Sequence, residues 1–446
     1  MQIDRIRLKD VGPFQDVTIE LPRGSDPALA DVYLLTGPNG SGKTTILYAL
    51  ASLLACGQPG LAPDLLTRRF RSGQAFAALA AGEIHWVVTP ATVGTEPLPR
   101  LRDPLGTEPL EWAVEAGPLG FRGNGPGISE YARHATSSVP SSAPTFSWAA
   151  FAYAGKRSLE QGRGTAISEV IGSPFDHSLS FTETADTAQL TKWIISQQFK
   201  RLKAKDAGRF ERAEQLGHSI RETERLIGQI VGDDDFGFAT SDEDNDVRIR
   251  WHGNVVDLDL LPDGLKSITS WVADLLMRLD RIPWVGDVPV LQRAFLLLLD
   301  EVDIHLHPAW QRQVLPFVQR MFPNAQIIAT THSPFVVASV ADAHVVTFAI
   351  QDGVSTVENV ASSQLGVSYS AVLRSIFGID SEFDATTEND FRTFHEAKAR
   401  LLRGEPGARS EVDRVASQLA ARSEEVKELV ALELAQLKRQ LARLAP

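Results

Sequence analysis

The chain has 446 residues, 44 of them basic and 56 acidic, for a formal net charge of −12; that length holds roughly two or three domain equivalents, or one large α/β domain with insertions. The acidic balance excludes a surface that coats nucleic acid everywhere, while leaving room for a local basic groove. A single cysteine, Cys56, excludes an internal disulfide framework, the opening MQIDRIRLKD is charged where a signal peptide is apolar, and no apolar run reaches a membrane span of ~18 residues, so the expected setting is soluble and cytoplasmic, with no membrane partner.

Met1 to Leu21 alternates apolar and polar residues on either side of Val11-Gly12-Pro13-Phe14, which predicts two antiparallel strands and a turn, with Phe14 either in the core or near a nucleotide base. The stretch Asp31 to Leu54 then organises the rest. Val32 to Leu35 reads as a buried strand, Gly37-Pro38-Asn39-Gly40-Ser41-Gly42-Lys43-Thr44 fits G-x-x-x-x-G-K-[ST], and Ile46, Leu47, Leu50, Leu53 and Leu54 recur at helical spacing from Thr45 on. Glycines in such a loop let successive N–H groups turn inward around a phosphate chain, and the helix adds its positive end. Lys43 is then placed to neutralise the terminal phosphates and the Thr44 hydroxyl to complete a Mg²⁺ shell. The motif is strong because both flanks, strand and helix, are correct. By itself it specifies a nucleotide and not a purpose.

Glu83 to Thr89, Glu111 to Glu115 and Phe146 to Tyr153 predict further strands. Between them, Pro90 to Pro109 and Gly117 to Pro144 are rich in Gly, Pro and Ser, and are expected to be irregular and mobile. Thr187 to Val231 turns charged and helix-favouring, with Leu190, Trp193, Ile194, Gln197, Phe199 and Leu202 marking one apolar face of a helical insertion. Its basic run, Lys200, Arg201, Lys203, Lys205, Arg209 and Arg212, is commonly a solvated face and less often a nucleic-acid site. An acidic break from Asp233 to Asp246 precedes Val247 to Leu260, a hairpin pattern with its turn at Gly253-Asn254 that leads into Leu261-Pro262-Asp263-Gly264.

Phe295 to Leu299 is an unbroken apolar run ending in Asp300-Glu301, as expected of a strand buried on both faces with carboxylates at its ligand-binding end. A helix from Pro308 to about Met321 and a second buried strand, Gln326 to Thr330, ending in Thr331-His332-Ser333-Pro334, complete a βαβ unit. Asp300 is the expected Mg²⁺ partner of Thr44. Glu301 is placed to polarise the attacking water and His332 to hydrogen-bond the γ-phosphate. Beyond Val360 the chain reads as helical, with no second catalytic constellation; Glu411 and Asp413 fall in a solvated helix pattern.

GPNGSGKTT, LPDGLKS, LLLLDEVDIHLHP and THSP, in that order, resemble the ATP-binding-cassette ATPases of the RecF, SMC and OLD branch, over most of the chain up to about Asp342. The resemblance implies an α/β P-loop head spanning about residues 1–360, with a mixed sheet, an antiparallel N-terminal lobe and a helical lobe. The stretches at about 90–145 and 187–231 interrupt it, and a helical C-terminal region, 361–446, follows. It implies ATP and Mg²⁺ as cofactors, and two copies closing face to face around two ATP molecules, each pinned by the other's signature. Here that signature is Leu261 to Lys266, with Gly264, Lys266 and Ser267 as the expected contacts, because Pro262 lacks the hydroxyl and N–H of the usual serine. His305, His307 and His332 are an imaginable zinc set; the resemblance instead puts His305 and His307 in the loop after Glu301, at the dimer interface. Phe151 to Arg157 resembles a tyrosine-and-arginine element near the site.

OLD-like chains continue into a nuclease module, and none is expected here because no acidic strand-end cluster follows His332. The resemblance therefore points to stand-alone ATPases that dimerise or assemble further and control a separate effector such as a nuclease, as in Septu-type anti-phage systems. An alternative is a RecF- or SMC-like repair ATPase that clamps DNA; a transporter subunit fits less well, since no Q-loop is identifiable.

Overall fold

The computed structural model describes residues 2–63, 82–89, 92–93, 96–97, 110–117, 120–123, 126–137, 146–155, 172–181, 185–240, 246–363, 366–379 and 383–444. They form two compact units, Met1–Val372 and Leu373–Pro446.

The first unit opens with β1 (Gln2–Val11) and β2 (Phe14–Glu20), paired antiparallel. Phe14 is core: it is buried, and its ring meets the edge of the Phe348 ring at 5.9 Å. Next come β3 (Asp31–Thr36) and α1 (Lys43–Ala55), which begins two residues earlier than the apolar spacing predicts. Strands β4 (Gly82–Thr89), β5 (Thr92–Val93), β6 (Glu96–Pro97), β7 (Leu110–Gly117) and β8 (Gly120–Gly123) follow, then α2 (Pro126–Ala135) and β9 (Ala149–Tyr153). Strands β2, β1, β4, β7 and β8, in that order, make an antiparallel sheet.

Helix α2 corrects the expectation that Gly117 to Pro144 is irregular. Tyr131, Ala132 and Ala135 recur at helical spacing and are buried, and the Tyr131 hydroxyl accepts a hydrogen bond from Ala150 N at 3.1 Å, so tertiary burial outweighs the Gly/Pro-rich flanks. Strands β5, β6 and β8 likewise stand inside the two stretches expected to be irregular; residues 90–91, 94–95, 98–109, 118–119, 124–125 and 138–144, where mobility was expected, lie outside the described residues.

Helices α3 (Thr187–Asp206) and α4 (Phe210–Val231) pack as a hairpin, with the Asp186 carboxylate capping the first. Leu190, Trp193 and Ile194 are buried as the pattern predicts, but Phe199 is 49% and Leu202 60% exposed. The packed face runs on through half-buried Arg201 to buried Ala204 in the last turn, and Phe199 and Leu202 lie off it. Strand β10 (Gly237–Thr240) stands inside the expected acidic break and pairs with β11 (Val247–Trp251), which pairs with β12 (Asn254–Asp257). The hairpin turn falls one residue earlier than expected, at His252-Gly253, both with positive φ.

Then come α5 (Asp263–Arg281), β13 (Phe295–Leu299), two short helices α6 (Pro308–Gln311) and α7 (Val314–Met321) where one was expected, β14 (Ala325–Thr330), α8 (Pro334–Val337), β15 (His344–Gln351), β16 (Val354–Ser362) and α9 (Tyr369–Ser375). The central sheet runs β16-β15-β3-β14-β13-β9, parallel except for the antiparallel edge strand β16. Every residue of β13 and β14 is buried, which is why neither alternates: β13 is apolar throughout, and the buried Gln326 of β14 is bonded to the backbone of Ile3.

The second unit is helical: α10 (Ala385–Leu402), α11 (Ala408–Ala420) and α12 (Glu424–Leu444) share a core of Phe391, Phe394, Val412, Val415, Leu419 and Val430. No helix among the described residues is long and apolar enough to cross a membrane.

Candidate active site

Strand order decides what can meet. Because β14 lies between β3 and β13, the residues that follow all three strands emerge side by side at their carboxyl ends, where open α/β sheets hold ligands.

From β3 emerges the glycine loop. Gly42 has φ +88°, and a Cβ there would sit 2.6 Å from the Phe14 ring and from Pro13, so a side chain is excluded by both conformation and space. Gly37 (φ +142°) passes so close to the Phe348 carbonyl that a Cβ would lie 2.6 Å from its oxygen. Gly40 faces open space, and Asn39 and Gly40 are exposed at the rim. The Ser41 hydroxyl is buried without a partner among the described residues. Lys43 donates from Nζ to the carbonyls of Gly37 at 2.9 Å and Pro38 at 3.0 Å, lying across its own loop. Burial lowers its pKa, while Asp300, Glu301 and Asp303 pull the other way. Thr45 is buried on the opposite side, against Gly12.

From β13 emerge Asp300 and Glu301. The Asp300 Oδ1 accepts from Thr44 Oγ1 at 3.0 Å and from Thr330 Oγ1, at the end of β14, at 2.7 Å. Thr330 Oγ1 in turn accepts from Glu301 N at 2.7 Å. One hydroxyl thus fixes both acidic residues. Glu301 is exposed in a left-handed backbone conformation, φ +46°, unusual for a residue with a Cβ and a form of local strain that concentrates at functional sites. Gly155, just beyond β9, is why there is room for its side chain: a Cβ at Gly155 would stand 2.7 Å from both Glu301 Cβ and Oε2.

From β14 emerges Thr331-His332-Ser333. Asp303 holds it, accepting from Thr331 Oγ1 at 2.6 Å and His332 N at 3.3 Å; Ser333 Oγ donates to Gln311 Oε1 at 2.6 Å, and Gln311 donates back to the carbonyls of Leu306 and Asp303. The His332 pKa is lowered, first by burial and then by the Lys43 charge, so the imidazole is neutral at neutral pH.

The structure therefore brings together Lys43, Thr44, Asp300, Glu301 and His332, at the strand ends beside the glycine loop. Gly264 and Ser267 are placed differently. Both are buried inside their own subunit: a Cβ at Gly264 would lie 2.7 Å from the His305 carbonyl oxygen and 3.1 Å from the Trp310 ring, and Ser267 Oγ is enclosed without a partner among the described residues. What this end of α5 exposes is Pro262 and Asp263, while Lys266 Nζ donates to the Asp259 carbonyl at 2.8 Å. His307 caps α6 by accepting from Ala309 N, and among the described residues no group of three His, Cys, Asp or Glu is placed to hold a metal ion as the zinc reading requires. Lys156 and Arg157 lie outside the described residues.

Sequence reading missed Thr330, Asp303, Gln311 and Gly155. Asp303 stands inside the LLLLDEVDIHLHP motif and Gln311 three residues beyond it, but only strand adjacency gives them their partners.

A family model described as "AAA domain, putative AbiEii toxin, Type IV TA system" matches residues 145–338, and a second, described as "AAA domain", matches residues 5–72. The first spans the acidic strand end and the second the glycine loop. Among curated relatives, Septu protein PtuA of Bacillus thuringiensis is 29% identical over 168 residues, 36% of this chain and 42% of that protein. Retron Ec83 probable ATPase of Escherichia coli is 40% identical over 74 residues, 17% of this chain and 14% of that protein. The chain thus spans less than half the length of these relatives. Among solved structures, the SMC head bound to the C-winged helix domain of ScpA aligns over 82% of this chain and 98% of that one, with TM-score 0.46 and 16% identity.

Proposed function

We propose that this chain, a RecF/SMC-like P-loop ATPase similar to the Septu ATPases, hydrolyses ATP to ADP and phosphate and works as a switch. In this reading ATP closes two copies face to face around two nucleotides, and the closed state controls a separate effector, a nuclease, in prokaryotic anti-phage defence. The observation that carries the hydrolytic part is the convergence of Thr44 and Thr330 on Asp300, with Glu301 N anchored to the same threonine.

The residues fit a nucleotide with Mg²⁺. Gly40 leaves open space at the loop, the buried Ser41 hydroxyl lacks a partner among the described residues, and the donor set at Thr44 and Asp300 is the hard-oxygen set that Mg²⁺ takes. Such an ion, held by Thr44 and Asp300, supplies charge neutralisation at the phosphates. Lys43 exchanges its two loop carbonyls for phosphate oxygens, a trade of neutral acceptors for charged ones. Glu301, exposed and fixed through its backbone, accepts a proton from water. His332, neutral, offers a hydrogen bond to the terminal phosphate and so distinguishes its presence from its absence. The likeness to Septu protein PtuA and to two retron probable ATPases supports the ATPase reading; the dimer and the effector come from the family resemblance of the motifs.

Glu301→Gln tests both halves together. Turnover is expected to fall about 10²- to 10⁴-fold with ATP binding retained, and light scattering is expected to find the variant as a dimer in ATP. A monomer mass in ATP contradicts the closed pair; DNA cleavage by the purified chain alone contradicts the separate effector.

A further inference from the structure

Tyr153, the last residue of β9, belongs to no step of the reaction, yet it joins the acidic strand end to α5. Its carbonyl accepts from Asp300 N at 2.9 Å, and Leu299 is its register partner on β13. Its hydroxyl donates to Asp274 Oδ2 at 2.8 Å, on the fourth turn of α5. The same carboxylate oxygen accepts from Arg278 Nε at 2.7 Å, with both side chains buried.

The connection closes on itself. Arg278 Nη1 donates to the carbonyls of Pro174 and Asp176 at 2.8 Å each, and the segment they belong to returns to β9 through Ala152 N to the Ser178 carbonyl at 2.8 Å and Ala154 N to the Phe181 carbonyl at 3.2 Å. Helix, segment and strand form one ring of hydrogen bonds with Tyr153 at its corner. Two residues later Gly155 packs on Glu301, and the opposite end of α5 meets the loop after Glu301 through Gly264 and the His305 carbonyl. Any displacement of α5 therefore reaches the Asp300-Glu301 strand end.

We infer that Tyr153 is a positioning residue for ATP turnover: through its hydroxyl bond to Asp274 and its carbonyl bond to Asp300, it sets the placement of the Asp300-Glu301 strand end from the position of α5. This rests on the ATPase reading above. A buried tyrosine hydroxyl needs a partner in any protein, so the bond alone is compatible with a purely structural role. Tyr131 supplies the comparison, because its hydroxyl accepts from Ala150 N on the same strand, nearer its other end.

Tyr153→Phe keeps the ring and the Asp274–Arg278 pair and removes only the hydroxyl. It is expected to lower kcat about tenfold with the KM for ATP unchanged, the signature of lost placement and not of lost binding. In the nucleotide-free protein it is expected to speed amide exchange at Asp300 and Glu301. Tyr131→Phe is expected to lower the melting temperature and leave kcat and that exchange unchanged. A Tyr153→Phe enzyme with wild-type kcat overturns the inference, as does a Tyr131→Phe enzyme that loses as much kcat. If the wild-type chain shows no ATP hydrolysis, the ATPase reading fails on its own, and amide exchange at Asp300 and Glu301 then decides between the two tyrosines.

Discussion

Thr44 and Asp300 lie 256 residues apart in sequence and 3.0 Å apart in space, and Thr330 completes the meeting from a third strand. Gly264 and Ser267, only 36 and 33 residues before Asp300, turn instead into the body of their own subunit. The first group is complete within one chain: donors, carboxylates and imidazole all emerge from adjacent parallel strands. The second presents only Pro262 and Asp263 outward, and in the proposed dimer that short edge is what a partner's nucleotide would meet.

The sharpest way to break this contrast is at Gly155. In Gly155→Ala the new methyl would lie 2.7 Å from Glu301 Cβ, so Glu301 must shift; steady-state phosphate release is expected to fall about 10²-fold with nucleotide affinity kept. Full activity would mean that the Glu301 side chain has room elsewhere and that its placement is not set by β9.

On the α5 side, Gly264→Ala pushes against the His305 carbonyl, which is backbone and cannot rotate away. The expected cost is about 1–3 kcal/mol of folding stability, read by urea denaturation, with monomeric ATP binding unchanged. A stable Gly264→Ala protein would show that α5 already sits loosely against that loop.

The smallest effect concerns His332. Its folded-state pKa is depressed by burial and by the Lys43 charge, so in the nucleotide-free protein the neutral ring persists below its ordinary value of ~6.5. The sign follows: the preference for the neutral form contributes nothing above the unfolded pKa and destabilises as pH falls below it, because the unfolded chain then binds the proton more readily. A histidine ring NMR titration with a midpoint above ~6.5 would place His332 beside the carboxylates and away from Lys43.

The glycine loop, the acidic strand end and the THSP turn were legible because each is local: a fixed spacing of glycines, a lysine and a hydroxyl, or a buried apolar run ending in charge, has its chemistry written into neighbouring residues. Helix α2 was not legible, since its flanks read as loop and its stability comes from Tyr131, Ala132 and Ala135 meeting a core assembled elsewhere. The exposed Phe199 and Leu202 continue the predicted apolar stripe, yet at that end of α3 the packed face has shifted to Arg201 and Ala204.

By itself, the sequence determined where a glycine loop and a carboxylate-tipped buried strand stand and which strands carry them, because backbone conformation and periodicity are properties of adjacent residues. Only the tertiary structure decided that β14 lies between β3 and β13, that Thr330 bridges Asp300 and Glu301, that Gly155 makes room for Glu301 and that Tyr153 ties this corner to α5. Strand order and close approach depend on how distant segments share one core, and no local pattern encodes that.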